Sequence, residues 1–337
     1  MPGRVDSNSP AFWRDGRFHL LTSAGAPLIS QGDDQFSLES SERVVVDPPG
    51  HLPMWIEAAW ADSDGTVFAW YHHEPGGVCP GSALTAPQIG ALVSYDGGRT
   101  FLDLGLVLTS GDPVDCTAKN GFFAGGHGDF SVILDREQGY FYFLFTNYGG
   151  EAAGQGIAVA RLVFEDRRNP VGAVRKHFQS AWDEPGLGGR VTPIFPVAAS
   201  WQRADTNSLW GPSLHWNTYL ESYVVLLNHA CCRPMWPQAG VYVSFNPDLS
   251  DPAGWSTPQR ILDQPHAYYP QVVGIDAGET DTLAGRVVRL YLQGCSAWEL
   301  LFNKVKPWEE EVPGEPPEPP PPDWTAVRLS VARPPRP

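Results

Sequence analysis

The chain lacks the material for long helices. Its 35 Gly and 33 Pro interrupt 337 residues too often for sustained 3.6-residue apolar faces, which excludes a helical bundle. It also lacks any apolar run approaching the roughly 20 residues that span a bilayer. Basic residues are scarce: 23 Lys and Arg face 38 Asp and Glu, a formal charge of −15, which excludes nucleic acid and anionic membrane surfaces as partners. A neutral or weakly charged substrate fits that balance better. Cysteine is sparse as well, with five residues at 79, 116, 231, 232 and 295 and no CxxC pair to build a zinc site. Adjacent Cys231 and Cys232 read as packing residues or as part of a mixture of bridged and free thiols. Cys79 and Cys116 flank the second structural unit. No secretory leader is visible before Asp6, so the compartment stays open; a secreted or periplasmic origin is compatible with a start trimmed of its leader.

What the chain does hold is strand-forming aromatic residues, 13 Trp, 16 Phe and 11 Tyr, in a recurring arrangement. Roughly every 60 to 75 residues an apolar or aromatic run, a polar turn and a second aromatic run follow one another. The copies are Ser9–Ser23, Trp55–Tyr71, Gly128–Tyr148, Gly211–His229 and Tyr269–Gly294, and third strands follow several of them at Ile89–Ser94, Gly156–Arg161 and Gly240–Ser244. Five such units predict an all-β fold, a five-bladed β-propeller. Blade one is expected over Asp6–Pro49, with Glu42–Val46 as its outer strand, and blade two over His51–Ser110. Blade three is expected over Gly126–Phe164 before a Gly/Pro-rich excursion to Trp201, blade four over Trp210–Leu262 and blade five over His266–Phe302. The propeller thus takes residues 1–305, and residues 306–337 form a Pro-rich acidic extension. Its Trp324–Val331 run alternates like a strand, so the extension is either a strap packed on the propeller or a tail.

Inner strands of a propeller start around one axis, so polar residues at those starts are the candidates for a site. They are Asp6 and Asn8, Glu57, His127 and Asp129, His215 and Asn217, and His266, Tyr268, Tyr269 and Gln271. Carboxylates among aromatic neighbours are the condition that drives pKa values apart and separates an acid from a base. A lone Glu57 between Ile56 and Ala58 is costly to bury unless paired. Asp129 follows Gly125, Gly126 and Gly128, a backbone that can approach a ligand closely. The His72-His73-Glu74 segment makes a poor chelate because adjacent strand residues point to opposite faces, although one histidine, taken as His73, can reach the pocket rim.

Two stretches resemble known families. Ser94-Tyr95-Asp96-Gly97-Gly98-Arg99-Thr100-Phe101 resembles the Asp-box turn of sialidase-type propellers, a structural motif. Gly128-Asp129-Phe130-Ser131-Val132, followed by Asp135 and Tyr140-Phe141-Tyr142, resembles the family 43 blade pattern of the five-bladed glycoside hydrolases, the clan of families 32, 43, 62, 68 and 117. The resemblance implies glycosidic bond cleavage by opposed groups, with no cofactor required. Asp6 is implied as base or nucleophile, although the family's Asp-Pro pair is here Asp6 and Pro10, four apart. Glu57 is implied as general acid, with Asp129 the carboxylate that holds its pKa and binds hydroxyls. His215 resembles the histidine that stands for a carboxylic acid in family 117 and is the alternate acid. Trp55, Trp216 and Tyr269 are implied as stacking residues for an oligo- or polysaccharide substrate, joined at the pocket by Asn8, His73, His127, Asn217, His266 and Gln271. Arg190, at the end of a Gly-rich loop, binds a uronate carboxylate or anchors its loop. Two alternatives stand beside hydrolysis: a polysaccharide lyase using His215 and Tyr269, and a non-catalytic carbohydrate-binding propeller. A structural Ca²⁺ on the axis, held by water and by His or backbone oxygens, is a further expectation.

Overall fold

The computed structural model describes residues 1–263, 267–304 and 327–332. Five mainly antiparallel sheets stand around one axis, so the fold is a five-bladed β-propeller. Blade one comprises β1 (Ala11–Arg14), β2 (Arg17–Thr22), β3 (Leu28–Gly32) and β4 (Glu42–Arg43). After β5 (Val45–Asp47), blade two comprises β6 (Met54–Ala61), β7 (Val67–His73), β8 (Gln88–Ser94) and β9 (Thr100–Leu108). Blade three runs through β10 (His127–Leu134), β11 (Tyr140–Asn147), β12 (Gly156–Val163), β13 (Arg175–Phe178) and β14 (Ala181–Pro185), with β15 (Phe195–Pro196) paired to β12. Blade four holds β16 (Asn207–Asn217), β17 (Ser222–Cys231), β18 (Gln238–Asn246) and β19 (Gln259–Asp263). Blade five holds β20 (Pro270–Gly274), β22 (Val287–Leu292), β23 (Cys295–Lys304) and β24 (Val327–Ala332), while β21 (Leu283–Ala284) pairs with β16. Among the described residues the helices are two short 3-10 segments, Ala152–Gly154 and Phe164–Arg168, and none is long and apolar enough to cross a membrane.

Two expectations about strand membership change. The expected outer strand Glu42–Val46 is split, because β4 stays with blade one whereas β5 runs parallel to β9 of blade two. The excursion after Phe164 belongs to blade three and supplies β13 and β14, where the fully buried Lys176 is anchored by backbone carbonyls. The strand-like run expected in the extension packs on blade five, where β24 pairs with β23 from Glu299↔Ala332 to Lys304↔Val327.

The core lies between blades. Trp70 of blade two packs on Phe141 and Phe143 of blade three with ring centroids 5.0 and 5.7 Å apart. Tyr142 and Leu144 meet Val225 and Leu227 between blades three and four, and Val224 and Leu226 meet Val288 and Leu300 between blades four and five. Each of these fully buried side chains contributes about 1.5–3 kcal/mol over exposure.

No strand is shared between the first blade and the last among the described residues, so hydrogen bonds close the ring. Gln271 brackets the backbone of Ser9, accepting from its N–H at 2.8 Å and donating to its carbonyl at 2.5 Å. Ala11 N–H donates to Asp281 at 2.8 Å, and the Trp13 indole donates to the Glu279 carbonyl at 2.8 Å. Burial lifts the Asp281 carboxyl to about 7.

The Asp-box sits where β8 turns into β9. Asp96 Oδ1 accepts from the N–H of Arg99 at 3.1 Å and of Thr100 at 2.9 Å, and Ser94 Oγ accepts from Gly98 at 2.8 Å. Gly97 and Gly98 hold φ of 83° and 89°, the left-handed region that suits glycine. Replacing Asp96 by Ala removes three acceptor contacts at once, those from Arg99 N–H, Thr100 N–H and the Ser94 hydroxyl. The expected loss is about 1–2 kcal/mol in the chemical-denaturation midpoint, and an unchanged midpoint would show the turn to be dispensable.

Candidate active site

The inner strands of blades two, three and four each carry a β-bulge near the start, and the bulges aim their extra residues at the axis. In β6 the register passes from Ile56↔Tyr71 to Ala58↔Trp70 and leaves Glu57 unpaired. In β10 it passes from Gly128↔Thr146 to Phe130↔Phe145 and leaves Asp129, at φ 40°. In β16 it passes from Trp210↔Asn228 to Ser213↔Leu226 across Gly211 and Pro212. A bulge re-aims a side chain and stops local pairing, and so lets a strand present one residue out of alternation.

Glu57 and Asp129 converge with His72 of β7. Their ligand atoms lie within 4.8 Å of one another, and the three residues are buried. Glu57 Oε1 is 3.2 Å from His72 Nδ1, and Glu57 Oε2 accepts from the Phe130 N–H at 3.0 Å. The Asp129 N–H also points at His72 Nδ1, at 3.2 Å. One imidazole nitrogen either donates or accepts, so Nδ1 serves Glu57 or the Asp129 N–H according to where the proton lies. With the proton on Glu57, Nδ1 accepts; with the proton on His72, Glu57 is the carboxylate.

Asp129 is held by two phenols, Tyr269 OH donating to Oδ1 at 3.1 Å and Tyr148 OH donating to Oδ2. Two donors on one carboxylate favour its ionised form. Burial and the charge of Asp129 in turn push both phenols well above their ordinary range.

The three carboxyl groups are therefore graded. Burial raises Glu57 to about 7 against the opposing pull of His72. Burial also raises Asp129, while His72 and Tyr148 act to lower it. Asp6 is accessible at the mouth, and partial desolvation followed by the charges of Asp129 and Glu74 raises it above the usual carboxylate range. His72 feels burial as a lowering influence, but its bonds to Glu57 and Glu74 and the charge of Asp129 outweigh it and lift the imidazole to about 10.

Other expected site residues are distributed differently. Trp55 is beside the group, its ring 5.6 Å from His72. His73 is not; it turns to the Pro53 carbonyl at 3.1 Å and to the ring of His51, because β7 alternation gives the axis to His72. His127 faces away from Asp129 and takes Lys176 Nζ at 3.0 Å, with the same ammonium donating to the carbonyls of Thr109 and Gly189 at 2.8 and 2.7 Å. Burial lowers that Lys176 to about 7 and His127 well below its ordinary value.

Asn8 lies inside the channel and ties blades three and four by donating to the carbonyls of Phe130 and Pro212, each at 2.8 Å. Gln271 serves the ring closure. Arg190 is paired with Glu184 at 2.8 Å and lies 4.1 Å over Phe178, so it anchors its loop at the outer side of blade three. Trp216 and Asn217 stand at the far end of β16, where Asn217 donates to the Gly285 carbonyl at 2.8 Å. His266 lies outside the described residues.

His215 does not reach the acids. It is buried four residues beyond the bulge, with Phe302 of blade five 5.9 Å away, and burial drops it to about 3. The blade-four counterpart of Glu57 and Asp129 is Gly211-Pro212. Gly211 has φ 55°, and a Cβ there would meet Asn228 Nδ2 at 2.6 Å, so a side chain at this bulge would have to displace Asn228. His215 and Tyr269, the pair needed for a lyase, are thus not assembled.

Calcium takes six to eight oxygen ligands. Both ring nitrogens of buried His215 lack a hydrogen-bond partner among the described residues, so it could supply one ligand to an axial Ca²⁺, with water and backbone oxygens supplying the rest. The Glu57–His72–Asp129 group has a donor set suited to a metal, but Nδ1 of His72 is already engaged by Glu57 and by Asp129 N–H.

Sequence reasoning passed over the aromatic wall behind Asp129. Trp236 is 4.6 Å from Trp201, 5.4 Å from Trp210 and 5.7 Å from Tyr148, ring centre to ring centre. It follows a disulfide between the adjacent Cys231 and Cys232; a second disulfide joins Cys79 to Cys116, and Cys295 is a free, exposed thiol. The unusual Cys-Cys pair next to Met235-Trp236 was the one local signal of that wall.

Fold and pocket together define a five-bladed β-propeller with an acidic axial site. Solved structures of this form include a thermostable family-43 glycoside hydrolase, at 10% identity and TM-score 0.52 over 90% of this chain and 85% of that one. An exo-1,5-α-L-arabinanase from a bovine ruminal metagenomic library matches at 14% identity and TM-score 0.53 over 89% and 96%. An α-L-arabinanase from Cellvibrio cellulosa, solved with arabinohexaose, matches at 12% and 0.53 over 89% and 93%. At such identities the likeness establishes the fold. No protein-family profile matches the sequence, and no curated protein matches it.

Proposed function

We propose that the protein is a glycoside hydrolase acting on a neutral poly- or oligosaccharide at the axial site. The observation that carries this reading is the convergence of Glu57 and Asp129, from blades two and three, within 4.8 Å around His72, with Asp6 of the blade-one entry near enough to feel the charge of Asp129. Glycoside cleavage needs one carboxyl group that still holds its proton near neutrality and another that has lost it. Glu57, kept up near 7 and hydrogen-bonded to His72, supplies the first and protonates the departing oxygen. Asp6, accessible at the mouth, supplies the second and activates water or attacks the anomeric carbon. Asp129, fixed by Tyr148 and Tyr269, keeps a negative charge beside Glu57 and so favours its protonated form. Trp55 offers an aromatic face beside His72. A net charge of −15 and three carboxyl groups at the site disfavour uronates.

Product analysis on arabinan, xylan, galactan, fructan and uronate oligosaccharides tests this reading. New reducing ends from one neutral substrate, lost in Asp6→Asn with the thermal transition unchanged, are the expected result. Full sugar release by Asp6→Asn would remove Asp6 from the mechanism. An unsaturated product absorbing in the ultraviolet would identify a lyase, and binding without release would leave a carbohydrate-binding propeller.

A further inference from the structure

The opposite mouth of the channel holds a second cavity. It measures about 310 Å³ and is lined from all five blades at the C-terminal ends of the inner strands, with Trp13, Trp60, Trp216, Arg136, Thr280 and Thr282 among its walls. That volume is at the lower end of the roughly 300–1,000 Å³ found for small-molecule sites. The cavity is separate from the acids. Trp60 is three residues along β6 from Glu57, roughly 10 Å at strand rise, and the buried segment Ser7-Asn8-Ser9 crosses the channel between them.

We propose that this cavity is a second carbohydrate site, which seats one sugar ring of a neutral oligosaccharide. Three partly exposed indoles face it, and each is already fixed. Trp13 is held by its bond to the Glu279 carbonyl at 2.8 Å. Trp60 is held edge-on by Phe141 and Phe164 at 5.4 and 5.6 Å. Trp216 is held by Tyr223 at 4.8 Å and by the Arg136 guanidinium 5.5 Å from its ring. Rigid aromatic faces cost little to order on binding. A sugar ring matches this wall because its C–H face is apolar and its rim carries hydroxyls. The partners for those hydroxyls are present: Thr280 and Thr282, whose Oγ1 atoms are 3.2 Å apart, and exposed Arg136, which has no acidic partner among the described residues. Asp135 beside Arg136 offsets its charge, so the wall suits a neutral ring better than an anionic one. The site shares with the hydrolase reading only the class of ligand. A polysaccharide held here is anchored on the face opposite the acids.

Calorimetric titration of the full chain, carrying Asp6→Asn to prevent turnover, with oligosaccharides of arabinose, xylose, galactose and fructose tests it. Adding Thr282→Tyr, which fills the cavity from its rim without removing core packing, is expected to weaken binding of at least one sugar tenfold or more. Trp216→Ala is expected to do the same, and Thr282→Tyr alone carries the test if the Trp216 variant fails to fold. In the Asp6 background, Thr282→Tyr is expected to leave the thermal transition unchanged. With Asp6 intact, it is expected to leave turnover of a small soluble substrate unchanged. Identical isotherms with and without Thr282→Tyr overturn the proposal, as does the absence of binding by all four sugars. Cavity-dependent binding by a chain that cleaves nothing upholds this site and overturns the hydrolase reading alone; cleavage with identical isotherms does the reverse.

Discussion

Glu57→Gln is expected to lower kcat by about 10²–10⁴-fold, the range for loss of a positioned general acid. Gln is nearly isosteric and keeps a carbonyl oxygen for the Phe130 N–H and an amide group facing His72, so the far-ultraviolet circular dichroism should not change. What it cannot do is release a proton. The pH profile gives a readout that a structural role does not move. In the wild type the required form of Glu57 is the protonated one, and its carboxyl is raised to about 7, so activity should be present below that pH and fall as pH rises through it. On the acid side, activity should fall as Asp6 takes up a proton, at a pH above the ordinary carboxylate range because Asp6 is itself raised. The variant should lose the limb near 7. A Glu57→Gln enzyme with kcat within threefold of wild type, or with the alkaline limb intact, would remove Glu57 from the acid role.

Trp236→Ala should cost about 3–5 kcal/mol, the range for deleting a buried indole. Its side chain is 5% exposed and lies amid Phe122, Phe123, Tyr148, Trp201 and Trp210. The backbone gives a second reason. Met235 and Trp236 hold φ of 66° and 50°, values that non-glycine residues adopt at a cost and keep only when packing compensates. Ala at 236 keeps the unfavourable φ and loses the packing. Tyr148 stacks on this ring while its hydroxyl donates to Asp129, so activity should fall together with stability. The denaturant midpoint and kcat measured on the same preparation check both. A shift below about 1 kcal/mol would show that the aromatic wall closes over the loss.

The places where sequence reading succeeded and failed separate cleanly by physical cause. The Asp-box was legible because all its hydrogen bonds join residues within four positions of one another. Hairpins such as Trp55–Tyr71 were legible for the same reason, being aromatic runs on either side of a short polar turn. The choice between His72 and His73 was not legible. Both neighbours are histidine, and only the pairing of His72 with Trp55 across the bulge at Glu57 decides which one faces the axis. His215 was misplaced for a related reason. The bulge across Gly211-Pro212 shifts everything after it in β16, and its place is seen only against the partner strand. Trp216 was read as a wall of the acidic site because it follows a strand start, whereas an 11-residue strand carries it to the other mouth.

The sequence alone determined that this chain builds five similar sheets of aromatic-rich strands, and that acidic side chains stand near the starts of three inner strands. Those properties are carried by composition, turn residues and repeat spacing. Only the tertiary structure decided that Glu57 is hydrogen-bonded to His72, that two tyrosines from blades three and five hold Asp129, and that blade four contributes glycine and proline where its neighbours contribute carboxylates. The reason is that each of these depends on register across strands and on blades brought together from positions as much as 140 residues apart in the chain, as Tyr269 and Asp129 are.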